Sequence, residues 1–255
     1  MVLAVDIGNT NIVIGCFQDD KIIFVERIST NQTGTVLEFA VSFKSVLEIY
    51  CLNSHDIEGS ILSSVVPSIT GIVRQAVEKI TQKSCMVVGP GIKTGLRISI
   101  DNPAQLGSDM AIGAVAALDQ YSGPLTLIDM GTATTVSVIN QKNEFIGGMI
   151  MPGIAISMNA LYDKTAQLPK IAFEPPKKKI GRNTVDCMKS GMIYGFAGSI
   201  DGLLDHIEDE LKMPVITIAT GGLAETIIPH CRHKNIILDD TLLLKGMRIL
   251  YLKNK

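Results

Sequence analysis

The sequence predicts an α/β fold of two similar domains, each with a mixed sheet flanked by helices. Apolar patterns typical of strands alternate along the chain with longer patterns of helical period. One strand-turn-strand motif occurs twice, about half a chain apart. The 255 residues and 46% hydrophobic content are sufficient for two cores of medium size. We expect domains at residues 1–120 and 121–255, divided just before Gly123-Pro124.

The elements of the first half follow from short apolar runs, helical spacing and turn residues. Strands are predicted at 2–7, 12–17, 21–28, 59–65 and 85–88, and helices at 35–51, 67–81 and 104–120. Pro67 suits the first turn of its helix. In the helix 35–51 the expected buried side contains Leu37, Val41, Val46 and Ile49. Residues 89–103 are rich in Gly and Pro and are expected to loop around a site.

The second half repeats this plan. Strands are predicted at 125–130, 134–140, 144–150 and 215–219, and helices near 154–162, 184–210 and 240–252. This mixture of strand meanders and alternating units indicates mixed rather than purely parallel sheets.

The duplicated motif has the chemistry of a phosphate-binding turn. It reads LAVDIGNTNIVIG at residues 3–15 and LIDMGTATTVSVI at residues 127–139. In each copy a strand delivers an Asp, and a Gly two positions later lets backbone N–H groups approach a phosphate. Uncharged donors follow, namely Asn9, Thr10, Thr132 and Thr134. Because a carboxylate repels phosphate, Asp6 and Asp129 require a cation such as Mg²⁺ between them and the oxygens.

An ordinary buried hairpin, with Asp and Thr shaping the turn, is the competing interpretation of either copy alone. The repetition favours the phosphate interpretation. A weaker echo supports it, because residues 61–69 and 216–224 both read as a strand that breaks into a turn of small residues. Two such hairpins facing each other across a cleft would grip one nucleoside triphosphate.

Composition and spacing exclude several other functions. A net charge of −2 gives no basic surface for nucleic acid or an anionic membrane. No apolar run approaches the ~20 residues that cross a bilayer, and the first strand begins at residue 2. With five scattered cysteines lacking any Cys-x-x-Cys pair, a cytoplasmic location is expected. Residues 89–95 match neither a P-loop nor a dinucleotide fingerprint, and residues 230–233 lack a full set of zinc ligands.

Asp109 is the candidate base for transfer of a phosphoryl group to an alcohol. Such a transfer needs a carboxylate that receives the proton of the attacking hydroxyl. Asp109 follows Gly107-Ser108 and opens an Ala-rich helix. An Asp at this place is also a common helix cap, and spacing alone favours the cap.

Over essentially its whole length the chain resembles the type III pantothenate kinases, which belong to the acetate and sugar kinase, Hsp70 and actin superfamily. The resemblance rests on ordered motifs: DIGNTN (6–11), VVGPGIKTGL (87–96), NPAQLGSD (102–109), DMGTATT (129–135), GGMIMPG (147–153), KTAQLP (164–169), GRNTVDCMKSG (181–191) and ATGGLA (219–224). It implies two actin-like (ribonuclease H-like) domains with an ATP cleft between them. The implied reaction is the ATP-dependent phosphorylation of pantothenate, the first step of coenzyme A biosynthesis.

The resemblance also implies roles for individual residues. Asp109 becomes the base that acts on the primary hydroxyl of pantothenate, and Asp6 the carboxylate that meets Mg²⁺ through the nucleotide. Asp129 would lie near a monovalent cation, K⁺ or NH₄⁺. The implied ATP contacts are Gly8, Asn9, Thr10, Asn11, Gly131, Thr132 and Thr134 at the phosphates and Gly221 and Gly222 at adenosine. The implied pantothenate contacts are Ile100, Gly107, Ser108, Met110 and Thr184; Thr184 would reach the pocket of a neighbouring subunit, which implies a homodimer.

Two departures from the family pattern leave alternatives open. Met110 stands where relatives commonly carry Arg, and Ile100 where several carry an aromatic residue. Lys93, Arg97 or Lys164 could supply the missing cation. The alternatives are a nucleotide-binding regulatory or scaffold protein with weakened catalysis, and a kinase for another small alcohol.

Overall fold

The computed structural model describes the whole chain, residues 1–255, as two compact units. The first unit comprises Met1–Gly95, Asn102–Ala116 and Leu242–Lys255, and the second comprises Leu96–Asp101 and Ala117–Thr241. The last helix of the chain therefore belongs to the first unit. The domain limits inferred from the sequence stay a prediction.

The first unit is built on a five-stranded mixed sheet with the order β3-β2-β1-β4-β5. The strands β1 and β2 are antiparallel, whereas β1 and β4 are parallel. The elements are β1 (Val2–Ile7), β2 (Asn11–Gln18), β3 (Lys21–Ser29), α1 (Val36–Ile49), β4 (Gly59–Ser64), α2 (Pro67–Thr81), β5 (Cys85–Val87), the start of α3 (Ser108–Gln120), and α7 (Leu242–Asn254). Most lie where the apolar patterns predicted them.

One face of this sheet carries the core under α1 and α2. Apolar side chains of β1, β2 and β4 join those of both helices in one buried cluster. The predicted inner side of α1 is wrong at three positions, because Leu37, Val41 and Ile49 are 61%, 56% and 72% exposed. The helix instead buries Phe39 and Phe43, one turn apart, since burying two aromatic rings removes more apolar surface from water.

The opposite face of the sheet is covered by α7, which approaches the strands at glycines. The Leu244 side chain occupies the space that a Cβ at Gly15 would need. The Tyr251 hydroxyl lies 1.9 Å from where a Cβ at Gly59 would stand. Successive residues along each strand therefore face alternately the helices α1 and α2 on one side of the sheet and α7 on the other.

The second unit repeats the topology of the first. Its six-stranded sheet has the order β11-β10-β7-β8-β9-β6. Five of these strands, in the order β9-β8-β7-β10-β11, correspond one by one to β3-β2-β1-β4-β5 of the first sheet. The elements are β6 (Arg97–Ile98), β7 (Leu125–Met130), β8 (Ala133–Ile139), β9 (Glu144–Pro152), α4 (Ile154–Lys164), α5 (Thr184–Leu211), β10 (Ile216–Thr220), α6 (Ala224–Ile227) and β11 (Ile236–Leu238). The duplication inferred from two motifs thus extends to the whole sheet.

The core of the second unit lies under α5 and α6. Ile128, Met130, Val136 and Ala219 of the strands pack with α5 residues such as Ile200. The short elements β6, β11 and α6 were not predicted, and α3 begins at Ser108 rather than residue 104 because a separate turn occupies Pro103–Gln105. None of the helices combines the length and apolarity that a membrane span requires.

Candidate active site

The Asp6 loop joins β1 to β2, and hydrogen bonds from within the protein fix its backbone. The N–H of Gly8 donates to the carbonyl of Asn11 at 3.0 Å. Thr30 supports the loop twice, since its hydroxyl donates to the Gly8 carbonyl at 2.7 Å and its N–H to the Thr10 carbonyl at 2.9 Å. Asn9, Thr10 and Asn11 are exposed. The loop thus presents polar groups outward on a fixed backbone.

Asp6 lies beside a buried hydroxyl of the parallel neighbour strand. The register places it opposite Val13 on β2 and Ser63 on β4. Residues in register project from the same face, here the face away from the α1 and α2 core. The Ser63 side chain is fully buried, and its hydroxyl makes no hydrogen bond of normal geometry.

Burial raises the pKa of Asp6 from 3.8 to about 6. Ser63 is near enough to oppose this shift, although it falls short of hydrogen-bond geometry, and the negative charge of Asp109 adds to it. Two carboxylates within electrostatic reach raise the energy of the doubly ionised state, and a bound cation relieves that repulsion. Asp6 and Asp109 belong to the same unit, and the charge of Asp109 reaches Asp6.

Asp109 is the second residue of α3, where an acidic side chain suits the start of the helix. Its Oδ1 accepts the Met110 N–H at 2.9 Å, as a first-turn acidic residue can. Gly107 makes this conformation possible, because a Cβ there would lie 2.5 Å from Asp109 Oδ1. The carboxylate is folded over the helix start while its charge reaches Asp6.

The other proposed pantothenate contacts are divided between the units. Ser108 and Met110 are partly buried beside Asp109 in the first unit. Ile100 and Thr184 belong to the second unit. Ile100 is partly buried shortly after β6, and Thr184 is exposed as the first residue of α5, directly after the capping residue Asn183.

The Asp129 loop joins β7 to β8 and is shorter than its counterpart. Three residues, 131–133, lie between the paired positions Met130 and Thr134, whereas four residues, 8–11, lie between Ile7 and Ile12. Gly153 closes on this loop, since its N–H donates to the Thr132 carbonyl at 3.1 Å and a Cβ there would lie 2.1 Å from that oxygen. The last glycine of the GGMIMPG motif thus supports the Asp129 loop.

The register places Thr134 on the opposite face of the sheet from Asp129 and places Thr135 beside Asp129. Thr134 is fully buried, its hydroxyl has no partner, and it lies on the core face with Val136. Thr135 is directly opposite Asp129 and is only partly buried. The sequence interpretation missed Thr135, although the alternation of faces along β8 would have found it once the register was known.

The glycine turn after β10 meets the Asp129 loop. Gly221 has φ +93°, and a Cβ there would lie 2.6 Å from both Asp129 Oδ1 and the Met130 nitrogen. Thr220, the residue before it, is opposite Asp129 in the parallel register. The turn therefore leaves a surface without side chains immediately beside the second carboxylate.

The protein offers no closed set of metal ligands. No group of three or more His, Cys, Asp or Glu side chains is suitably placed for a metal ion. His233, in the segment dismissed as a zinc site, lies 2.8 Å from Asp205 Oδ1, and Cys231 is buried. A cation near Asp6 would have to draw most of its oxygen ligands from another molecule, as Mg²⁺ commonly does with phosphates.

Comparison with known proteins identifies the family. The family model described as type III pantothenate kinase matches residues 2–206. Relatives described as type III pantothenate kinase include one from Halalkalibacterium halodurans, 40% identical over 254 residues with 100% of both chains covered. Another, from Bacillus cytotoxicus, is 41% identical over 254 residues and covers 100% of this chain and 97% of its own.

Solved structures resemble the chain in fold. The activator of the 2-hydroxyisocaproyl-CoA dehydratase from Clostridium difficile, with bound ADPNP, matches with a TM-score of 0.59 at 13% identity, covering 99% of this chain and 94% of that chain. Component A of the (R)-2-hydroxyglutaryl-CoA dehydratase from Acidaminococcus fermentans matches with a TM-score of 0.57 at 15% identity, covering 98% and 96%. The α/β fold predicted from the sequence, actin-like with mixed sheets flanked by helices, is confirmed.

Proposed function

The chain belongs to the type III pantothenate kinase family, and we propose that it transfers the γ-phosphoryl group of ATP to pantothenate with Asp109 as base. The product is 4'-phosphopantothenate, and the reaction is the first step of coenzyme A biosynthesis. The residue assignment is supported by the place of Asp6 and Asp109 in the same unit and by the negative charge of Asp109, which adds to the effect of burial in raising the Asp6 pKa. A base must lie near the metal-bound phosphate if it is to act on the attacking hydroxyl.

Asp6 is the proposed metal-side carboxylate. Its raised pKa means that the ionised form is held at an energetic cost, which a divalent cation would offset. When bound with ATP, Mg²⁺ supplies neutralisation of charge on the phosphate oxygens. Asn9, Thr10 and Asn11 then donate hydrogen bonds to those oxygens, because Thr30 fixes the loop backbone. Gly8, whose N–H bonds to the Asn11 carbonyl, contributes by letting the phosphate approach the turn closely.

Asp109 is the proposed base. The primary hydroxyl of pantothenate gives its proton to the Asp109 carboxylate while its oxygen bonds to the γ-phosphorus. The bond from that phosphorus to the bridging β–γ oxygen breaks, and ADP leaves with the bonding electron pair. Folding of Asp109 over Gly107 fixes the carboxylate for this transfer.

The second unit supplies the remaining nucleotide contacts in this proposal. Gly131 and Thr132 bind phosphate, together with Thr134 as inferred from the motif or Thr135 as favoured by the register. Asp129 holds a monovalent cation, K⁺ or NH₄⁺. Gly221 and Gly222 make room for adenosine, in keeping with the space that Gly221 leaves beside Asp129.

The pantothenate site is proposed around the start of α3. Gly107, Ser108, Met110 and Ile100 contact the substrate, and Thr184 completes the site of a neighbouring subunit in a homodimer. The exposure of Thr184 on the first turn of α5 is compatible with such a contact. The cytoplasmic location expected from the sequence stays a prediction.

Release of ADP, measured with pantothenate, Mg²⁺ and K⁺, tests the assignment of Asp109. The wild-type protein should turn over, and Asp109→Asn should lose about a hundredfold to ten-thousandfold in kcat, the usual contribution of a general base. Asp101→Asn serves as the control, because it removes an exposed carboxylate from the same connecting segment.

Equal turnover in wild type and Asp109→Asn would remove Asp109 from the mechanism. Absence of turnover in the wild type, with ATP still bound, would favour the scaffold alternative. That alternative is not favoured by full-length identity of about 40% to pantothenate kinases.

A further inference from the structure

We infer that Ser63 and Thr220 are positioning residues that aim the two loop carboxylates, Asp6 and Asp129, toward bound Mg-nucleotide. The inference rests on the proposed function and assigns work to two residues that had no assigned role, although Thr220 lies within the ATGGLA motif (219–224) and Ser63 within the segment 61–69. Each residue supplies a hydroxyl from the strand that runs parallel to the carboxylate's own strand.

The register of the two sheets is the first support. Ser63 is opposite Asp6 in the β1–β4 pair, and Thr220 is opposite Asp129 in the β7–β10 pair. Since β4 and β10 hold the same place in their sheets, the two hydroxyls occupy equivalent positions. Serine and threonine differ in their methyl group and share the hydroxyl, so the shared feature is a donor beside a carboxylate.

Burial is the second support. The Ser63 side chain is 0% exposed, and its hydroxyl has no hydrogen-bond partner. Thr220 is only 5% exposed. A buried hydroxyl without a partner is unfavourable and calls for an explanation. The carboxylate on the neighbouring strand is the natural acceptor once a cation draws it into its ligating orientation.

The opposite face of the same strands provides a contrast. Three residues before each hydroxyl, Ser60 and Thr217 are also buried, and the Ser60 hydroxyl likewise has no partner. Their parity places them on the faces covered by α1 and α2 or by α5 and α6. Ser60 is opposite Leu3, and Thr217 is opposite Thr126. These two positions carry the same side-chain chemistry without a carboxylate beside them.

A hydroxyl in this place acts by restricting the carboxylate. A donor that occupies one lone pair of an Asp leaves the other oxygen directed at the cation, as partners behind a metal ligand commonly do. Loss of such a partner typically weakens metal affinity or activity by about 10- to 100-fold. The expected effect therefore falls on binding of the magnesium-nucleotide complex and on its dependence on Mg²⁺.

The test compares matched pairs: Ser63→Ala with Ser60→Ala, and Thr220→Val with Thr217→Val. Calorimetric affinity for a non-hydrolysable ATP analogue is measured across a series of Mg²⁺ concentrations, so the result does not depend on which alcohol is phosphorylated. Ser63→Ala should weaken the magnesium-dependent affinity about tenfold, and Thr220→Val should weaken analogue affinity severalfold. The Ser60 and Thr217 variants should stay within about twofold of the wild type.

Rescue separates positioning from packing. Ser63→Thr and Thr220→Ser exchange the two hydroxyl residues and should restore most of the affinity, whereas a packing role would follow side-chain volume. Equal effects at Ser63 and Ser60, or no effect at Ser63 and Thr220, would overturn the inference. If the wild type binds the magnesium-nucleotide complex but does not phosphorylate pantothenate, the proposed function fails while this comparison stays decisive.

Discussion

The Asp6 loop and the Asp129 loop hold the same place in two sheets of the same strand order, but their surroundings differ. Asp6 lies between apolar Val13 and the buried Ser63, and the charge of Asp109 reaches it. Asp129 lies between two hydroxyl residues, Thr135 and Thr220. The repeated frame fixes where a carboxylate stands, whereas its neighbours decide what it can bind.

The turns that follow the parallel strands diverge in the same way. After β4, the Ser64 hydroxyl accepts the Val66 N–H at 3.0 Å and the Thr70 hydroxyl at 2.7 Å, which closes the turn. After β10, Gly221 and Gly222 stand in that place without side chains. The comparison teaches that the same frame carries a turn closed by side-chain hydrogen bonds in one half and an open turn without side chains in the other.

The largest expected effect comes from neutralising each loop carboxylate separately. Asp6→Asn should reduce turnover about a hundredfold or more and raise the Mg²⁺ concentration needed for half-maximal rate, because a charge-assisted contact is lost. Asp129→Asn should instead change the dependence on K⁺. Steady-state rates in titrations of each cation measure both. If both variants respond only to Mg²⁺, the division of labour between the loops is wrong.

The two turns should respond very differently to substitution by alanine. Gly221→Ala should destabilise the protein by about 2 to 4 kcal/mol and weaken nucleotide binding, since the Cβ meets backbone atoms at a positive φ. Ser64→Ala should cost about 1 kcal/mol through lost hydrogen bonds. Urea unfolding with nucleotide binding measures both, and similar losses at the two sites would contradict the contrast.

Asp6 should limit the stability of the metal-free protein. Its pKa is about 6 in the folded state against 3.8 as reference, so the folded state binds more protons and stability falls as pH rises between these values. At pH 7 and above, Asp6→Asn should therefore raise the free energy of unfolding by up to about 3 kcal/mol. The gain should vanish below about pH 4.

Denaturant unfolding at several pH values, in the presence of a chelator, measures this difference. Asp163→Asn, on the exposed surface of α4, controls for the change in net charge. A gain that persists unchanged at low pH would mean that ionisation of Asp6 is not its cause.

The smallest expected effect concerns the residue beside the base. In the first unit α3 begins with Ser108-Asp109-Met110, whereas α7 begins with three leucines, so only α3 carries a carboxylate in its first turn. Met110→Arg should lower the apparent KM for pantothenate about tenfold, because Arg adds a rigid fork for its carboxylate. Met110→Leu is the matched control. An unchanged or higher KM would mean that another group anchors the substrate.

The sequence predicted the repeated motif and the elements whose ends are marked by turn residues. The two Asp-Gly turns and nearly every longer strand and helix follow from apolar period and turn residues, which are local properties. The inner side of α1 was wrong because Leu37 and Phe39 are both apolar and only packing chooses between them. Ser63, Thr135 and Thr220 were missed because strand register depends on distant pairings that a linear pattern does not contain.

Closure of the first unit by α7 has a consequence for biosynthesis. Gly15 and Gly59 lie near the beginning of the chain, yet Leu244 and Tyr251, which pack against them, are translated more than 180 residues later than either glycine. A nascent chain can pair β1 to β5 early, but one face of that sheet stays bare on the ribosome until residues 242–255 emerge. The first unit is therefore the first to begin synthesis and the last to be completed.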